Sequence, residues 1–237
     1  MKSAGEDESL RILALDTALA ACSVCVMEEG SKDPLIVQSI DMDRGHAEAL
    51  VPLLQKTLAA LDGGLQTIGK IAVCVGPGSF TGLRVGISAA RALGFAANRP
   101  VVGVTSLSAY AAPHILAGTT LSIASVIDAR HGNVYCQCVT GAGRMLIAPQ
   151  RMSVTDLVAI LNKSGGVKVV GPGASLFMGH SGLLGLQVFI EPSALAPDIG
   201  WIARLGFAAD PSYAPPDPFY LRGADATPQD HTRIAHI

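Results

Sequence analysis

Two segments of this chain carry the same layout, and that repetition restricts its architecture more than any other feature. Arg11–Asp16 (RILALD) is an apolar run ending in Asp, followed by a short connection and a second run, Cys22–Met27. Ser122–Asp128 (SIASVID) ends the same way and leads through a short connection to Val134–Val139. Farther along, Ile71–Val75 runs into Gly76-Pro77-Gly78, as Val167–Val170 runs into Gly171-Pro172-Gly173. Continuous apolar runs of this length fit strands covered on both faces. The order strand, Asp, hairpin, strand, helix, strand, Gly-Pro-Gly, helix thus occurs twice, and such repetition indicates two copies of one unit. Each copy is expected to form a mixed sheet, with the hairpin antiparallel and the later strands entering through helical crossovers.

Two tandem sheets of this kind describe an α/β chain of two RNase H-like lobes, the architecture of the actin-like ATPases and sugar kinases. The expected division is an extension over 1–9, lobes over 10–102 and 103–210, and an extended tail over 211–237, where the composition turns to Pro, Asp and Tyr. Besides the helix that follows Gly76-Pro77-Gly78, three others are legible. Ala47–Leu61 carries Leu50, Leu53, Leu54, Leu58 and Leu61 on one stripe, with Pro52 marking a strained or late start. Val154–Leu161 follows an N-cap at Ser153, and Ile199–Ala208 is the last apolar helix.

The helix after Gly76-Pro77-Gly78 is capped by Ser79 or Thr81. Along it Gly82, Gly86, Ala90 and Gly94 recur every four residues, so one face has almost no side chains. Glycine costs about 1 kcal/mol per helical site relative to alanine, so a close approach has to compensate. That approach is either tight packing inside the same domain or contact with another protein.

Charged residues make up 15% and apolar residues 49%, with a net charge of −2. This balance suits a large buried sheet and argues against a chain that grips nucleic acid unaided. Val101–Ile127 lacks Asp, Glu, Lys and Arg, but its Ser/Thr content, Pro113, His114 and Gly118 fit a buried strand–helix–strand better than a membrane span. The acidic, polar start MKSAGEDES is no signal peptide, and a cytoplasmic location is expected. Five cysteines fit a reducing compartment. Cys22 and Cys25 on one strand would point to opposite faces, and Cys136 and Cys138 lack the partners of a zinc set.

An ATP-binding cleft of this superfamily needs glycine-bearing phosphate loops. Here the first hairpin connection, Asp16–Ala21, holds no glycine, and the second, Asp128–Asn133, suits a turn better than a nucleotide. GPGSFTG is not a Walker A loop, since no Gly-Lys-Ser/Thr follows. Asp16 and Asp128 are read either as remnants of metal-holding carboxylates or as strand-end residues that hold the hairpins. His131 and His180 have no assigned role.

The segments ILALDTALAACSV, RGHAEALVPLL, VGPGSFTGLRVGISAARAL, VTSLSAYA, IDARHGNVY and PFYLR resemble the TsaB (YeaZ) family, over residues 10–222. The resemblance implies a part in forming threonylcarbamoyladenosine in tRNA, at the adenosine following the anticodon. It implies a non-catalytic partner of the paralogue TsaD, in a complex completed by the ATPase TsaE and supplied by another enzyme that makes the threonylcarbamoyl-adenylate, with a homodimer in isolation and tRNA reached only through the complex. TsaD carries a metal-binding H-x-x-x-H pair after the corresponding Gly-Pro-Gly helix. The matching positions here are Ser106 and Tyr110, so neither a metal nor a catalytic residue is expected.

The implied partner surface comprises His46, Glu48, Leu50, Leu53 and Leu54 on one helix, and Gly82, Arg84, Gly86, Ile87, Ala90 and Arg91 on the next; read from the residues alone, His46 is equally a surface histidine in the helix cap region, and Arg84 and Arg91 are equally solvated charges. No cofactor of its own is implied; ATP or ADP at the partner boundary would use Gly78, Ser79, Thr81 and Gly82, near a helix N-terminus. Against this stand two enzymatic alternatives, an ATP-binding kinase-like protein and a metallopeptidase-like one. The first lacks a glycine-bearing phosphate loop and the second lacks H-E-x-x-H. Tyr220-Leu221-Arg222 matches a family tail motif whose role does not follow from its chemistry.

Overall fold

A computed structural model describes residues 9–163, 166–178, 182, 188–191 and 194–221. Expectations for most of the N-terminal extension, for His180, and for Arg222 and the tail beyond it fall outside these residues.

The first sheet contains β1 (Arg11–Asp16), β2 (Ala21–Glu28), β3 (Ile36–Asp41), β4 (Lys70–Gly76) and β5 (Val101–Thr105) in the order β3-β2-β1-β4-β5. The pairs β1–β2 and β2–β3 are antiparallel, while β1–β4 and β4–β5 are parallel. The second sheet contains β6 (Ser122–Asp128), β7 (Asn133–Val139), β8 (Met145–Ser153), β9 (Val167–Val170) and β10 (Val188–Ile190) in the order β10-β9-β6-β7-β8. Its strand directions repeat those of the first. The fold is therefore α/β, two RNase H-like mixed sheets, as the duplicated layout implies. Among the described residues no helix is long and apolar enough to cross a membrane.

Three strands were not legible. β3 and β8 are sheet edges with mostly exposed or half-buried residues, so neither shows a continuous apolar run. β10 has only three residues.

Helices α1 (His46–Ala59), α2 (Phe80–Ala97), α3 (Ser106–Leu116), α4 (Val154–Leu161) and α5 (Ile199–Ala208) cover the sheets. α1 does not start late at Pro52. It begins at His46 and runs through the proline, which is exposed; the backbone acceptor it leaves without an N–H partner can face water. Ser153 caps α4 by accepting from the Asp156 backbone N–H, and Ser79 caps α2 by accepting from that of Gly82.

The boundary expected at 102/103 shifts. β5 extends to Thr105 inside the first sheet, and α5 returns to pack on β1, β2, β4 and β5. Ile199, Ile202 and Ala203 join the first lobe's core because the α5 face they form is apolar. α3 lies between the sheets, packing on β6 and β7 on one side and on β4 and β5 on the other.

The bare face of α2 is explained within the chain. A Cβ at Gly82 would stand 2.0 Å from the Thr17 carbonyl oxygen, and one at Gly86 2.5 Å from Thr17 Oγ1. At Gly94 it would meet the Val101 side chain at 2.3 Å, and Ala90 is fully buried. Gly82, Gly86 and Ala90 are thus corrected from partner contacts to internal packing: the helix presses against the β1–β2 turn and its own sheet. Leu50, Leu53, Leu54 and Ile87 are corrected in the same way, since all four are buried in the first lobe's core.

Candidate functional site

Two regions hold the residues singled out by the sequence: the cleft between the lobes and the outward surface of α1 and α2. The cleft is a cavity of about 350 Å³. Ala18, Leu19 and Ala20 of the β1–β2 turn, with Asp43, His46, Gly78 and Ser79, wall it on one side. Ile127, Asp128, Ala129, Arg130 and Tyr135 wall it on the other.

Both hairpin aspartates turn their connections in one way. Asp16 Oδ1 accepts from the Ala18 N–H at 2.8 Å, and Asp128 Oδ1 accepts from the Arg130 N–H at 2.7 Å. These Asx turns support the strand-end role. Their surroundings differ, because Asp16 is 1% exposed whereas Asp128 is open to solvent. Burial lifts the Asp16 carboxyl from about 3.8 to about 6, against the opposing pull of the Ala18 N–H, the Cys74 thiol and His46. Its Oδ2 is buried without a hydrogen-bond partner.

The Gly-Pro-Gly loop sits under the first turn. A Cβ at Gly78 would lie 2.3 Å from the Ala18 carbonyl oxygen, which also accepts from the Ser79 N–H at 2.7 Å. The Gly82 N–H donates to Ser79 Oγ at 3.3 Å. Of Gly78, Ser79, Thr81 and Gly82, Gly78 and Ser79 line the cavity, Gly78 and Gly82 abut the backbone of the β1–β2 turn, and the Ser79 and Gly82 amides are engaged within the chain. Thr81 alone is exposed with no such contact. The second lobe repeats the motif, with Gly173 N–H donating to the Val126 carbonyl at 3.1 Å.

Ser106 and Tyr110 stand one helical turn apart on α3, and the chain uses both hydroxyls. Ser106 Oγ donates to the Pro77 carbonyl at 2.8 Å and lies 3.3 Å from Cys74 Sγ. Tyr110 Oη donates to the Ala194 carbonyl at 2.9 Å. Among the described residues, no group of three or more His, Cys, Asp or Glu is placed to hold a metal. All five cysteines are buried and free.

On the surface, His46 is nearly buried, with Nε2 2.9 Å from the Leu19 carbonyl oxygen. It positions α1 on the β1–β2 turn instead of facing outward. Glu48, Arg84 and Arg91 are exposed. Arg84 lies over the Phe80 ring at 3.8 Å and donates to Tyr220 Oη at 3.3 Å, and Arg91 pairs with Asp217. Sequence reasoning missed Val51 and Phe95, 55% and 92% exposed on the same two helices. The available signal was two large apolar residues off the buried stripes.

The sequence profile of "TsaD: tRNA N6-adenosine threonylcarbamoyltransferase" matches residues 40–170. A "tRNA threonylcarbamoyladenosine biosynthesis protein TsaB" of Haemophilus influenzae is 35% identical over 128 residues, covering 54% of this chain and 53% of that protein. The chain thus spans about half the length of this curated relative, as it does of the Escherichia coli protein of the same name. An uncharacterized Mycobacterium tuberculosis protein is 34% identical over 224 residues, covering 92% of this chain and 94% of that one. A solved structure of YeaZ from Pseudomonas aeruginosa aligns with TM-score 0.68 and 28% identity, over 90% of this chain and all of that one.

Proposed function

Since the chain belongs to the TsaB (YeaZ) group of the TsaD threonylcarbamoyltransferase family, we propose that it serves formation of threonylcarbamoyladenosine in tRNA as a non-catalytic partner of TsaD. The observation that carries this reading is the state of positions 106 and 110. Where a metal-binding paralogue would place two imidazoles one turn apart, this chain has two hydroxyls bonded to its own Pro77 and Ala194 carbonyls. Those bonds anchor α3 to the Gly-Pro-Gly loop and to the segment before α5, a structural use of the position.

A non-catalytic member acts through its surface. The outward faces of α1 and α2 expose Glu48, Val51, Arg84, Arg91 and Phe95, a mixture of apolar and arginine side chains suited to a protein contact. TsaD is the proposed occupant in the complex, with TsaE completing it and a second copy taking TsaD's place in isolation. A nucleotide at the boundary would rest on Thr81 and the partner's own groups. The setting is cytoplasmic.

Reconstitution tests the reading: tRNA threonylcarbamoylation with TsaD, TsaE and the adenylate-forming enzyme, with and without this chain. Modification is expected only when the chain is present, and the purified chain is expected to show no turnover alone. Full modification without it would overturn the assignment.

A further inference from the structure

We propose that the segment Asp210–Leu221 is a clasp that fixes the angle between the two lobes and so sets the width of the cleft. The segment is fastened to the first lobe at several points. The Gly103 N–H on edge strand β5 donates to the Ala214 carbonyl at 2.8 Å, and the Phe219 N–H donates to that of Val75 at 2.8 Å. Gly103 is bare where Pro215 passes, since a Cβ there would lie 2.6 Å from the Pro215 carbonyl oxygen. Asp217 pairs with Arg91, and the Tyr220 ring lies 5.2 Å from that of Phe80 while its hydroxyl accepts from Arg84.

One residue farther, the chain changes lobes. Leu221 packs against the apolar cluster of the α3 and second-sheet residues Leu107, Tyr110, Ile123 and Ile127. Tyr220 and Leu221 are neighbours in sequence, yet one is held by α2 of the first lobe and the other by the core of the second. Pro215, Pro216 and Pro218 stiffen the approach, because proline fixes φ and favours an extended run. Across the cleft, Leu19 of the β1–β2 turn packs against the same cluster. The walls of the cavity belong to different lobes, so its width follows the lobe angle that these two leucines hold.

The clasp is tested in the full chain by electron–electron resonance distances between spin labels at Lys56→Cys on α1 and Arg151→Cys on β8. Both sites are exposed, and the five native thiols are buried from the label. The labelled parent is expected to give one narrow distance distribution. Tyr220→Ala with Leu221→Ala is expected to shift and broaden it. Should circular dichroism show that this pair has lost its fold, Arg84→Ala with Asp217→Asn, both at exposed positions, is measured in its place. A shifted and broadened distribution supports the clasp; one unchanged from the parent in a folded variant overturns it.

Discussion

Thr17 and Gly82 lock to each other in both directions: Thr17 Oγ1 donates to the Gly82 carbonyl at 2.7 Å, and the Thr17 carbonyl leaves no room for a Cβ at 82. Both sides of the contact are backbone or nearly so, which prevents relaxation by side-chain rotation. Gly82→Ala is therefore expected to destabilise the chain by about 3 kcal/mol, the upper range for overpacking. Gly86→Arg is expected to prevent folding altogether, since even a Cβ there meets Thr17 Oγ1. Urea denaturation followed by circular dichroism measures the first, and soluble yield the second. A stable, well-folded Gly86→Arg protein would mean that the β1–β2 turn can leave α2.

The thiols should be silent in the native protein. Cys22 and Cys138 are pushed up to about 11 and Cys25 and Cys136 to about 12, chiefly by burial, and Cys74 is raised as well. A thiolate is the reactive species, and none of these groups supplies it near neutral pH. Titration with an aromatic disulfide reagent is expected to release no colour from native protein and the equivalent of five thiols in denaturant. Rapid reaction of even one thiol in the native protein would contradict the packing around it.

The two-lobe frame was legible because its central strands are buried on both faces and end in the same Asx turns, at Asp16 and Asp128. The edge strands were not, because β3 and β8 half-face solvent and their composition does not betray the pairing. The return of α5 to the first sheet was equally hidden: an apolar helix states that it is buried, never against what. At the candidate surface the pattern of small residues on α2 was visible, but its occupant was not. Thr17 fills the space only through the fold, since the contact joins residues 65 positions apart. Arg84 and Arg91 could be seen to flank that face, whereas their partners Tyr220 and Asp217 lie in a tail without periodic pattern.

Partner binding should depend on the outward residues and not on the buried ones. Phe95 is 92% exposed at the C-terminal end of α2 and makes no core contribution. If α2 faces TsaD, Phe95→Asp buries an unpaired charge in the contact and is expected to weaken binding about thirtyfold, the effect of losing about 2 kcal/mol at an interface centre. The melting temperature should stay within about 2 °C of the parent, as befits a surface change. Calorimetry with purified TsaD reads the affinity. Unchanged affinity for Phe95→Asp and for Val51→Asp together would move the contact away from these helices.

Asp16 gives the chain a predictable response to pH. Its carboxyl titrates near 6 in the folded protein because burial penalises the charged form, and near 3.8 when unfolded. A raised pKa means that the folded state holds its proton more tightly. The associated stability is therefore fully present below about pH 3.8 and is lost as the pH rises through 6. Two pKa units correspond to about 3 kcal/mol between these limits. Asp16→Asn removes the charge but keeps an oxygen to accept from the Ala18 N–H, and its amide can address the space beside the unpartnered Oδ2. The variant is expected to be more stable than the parent by about 2 kcal/mol at pH 7.5, with the difference shrinking toward zero at pH 4. Parallel urea titrations at the two pH values measure it. A constant difference across that range would show that Asp16 does not titrate between them, and that its carboxyl reaches solvent or a partner in solution.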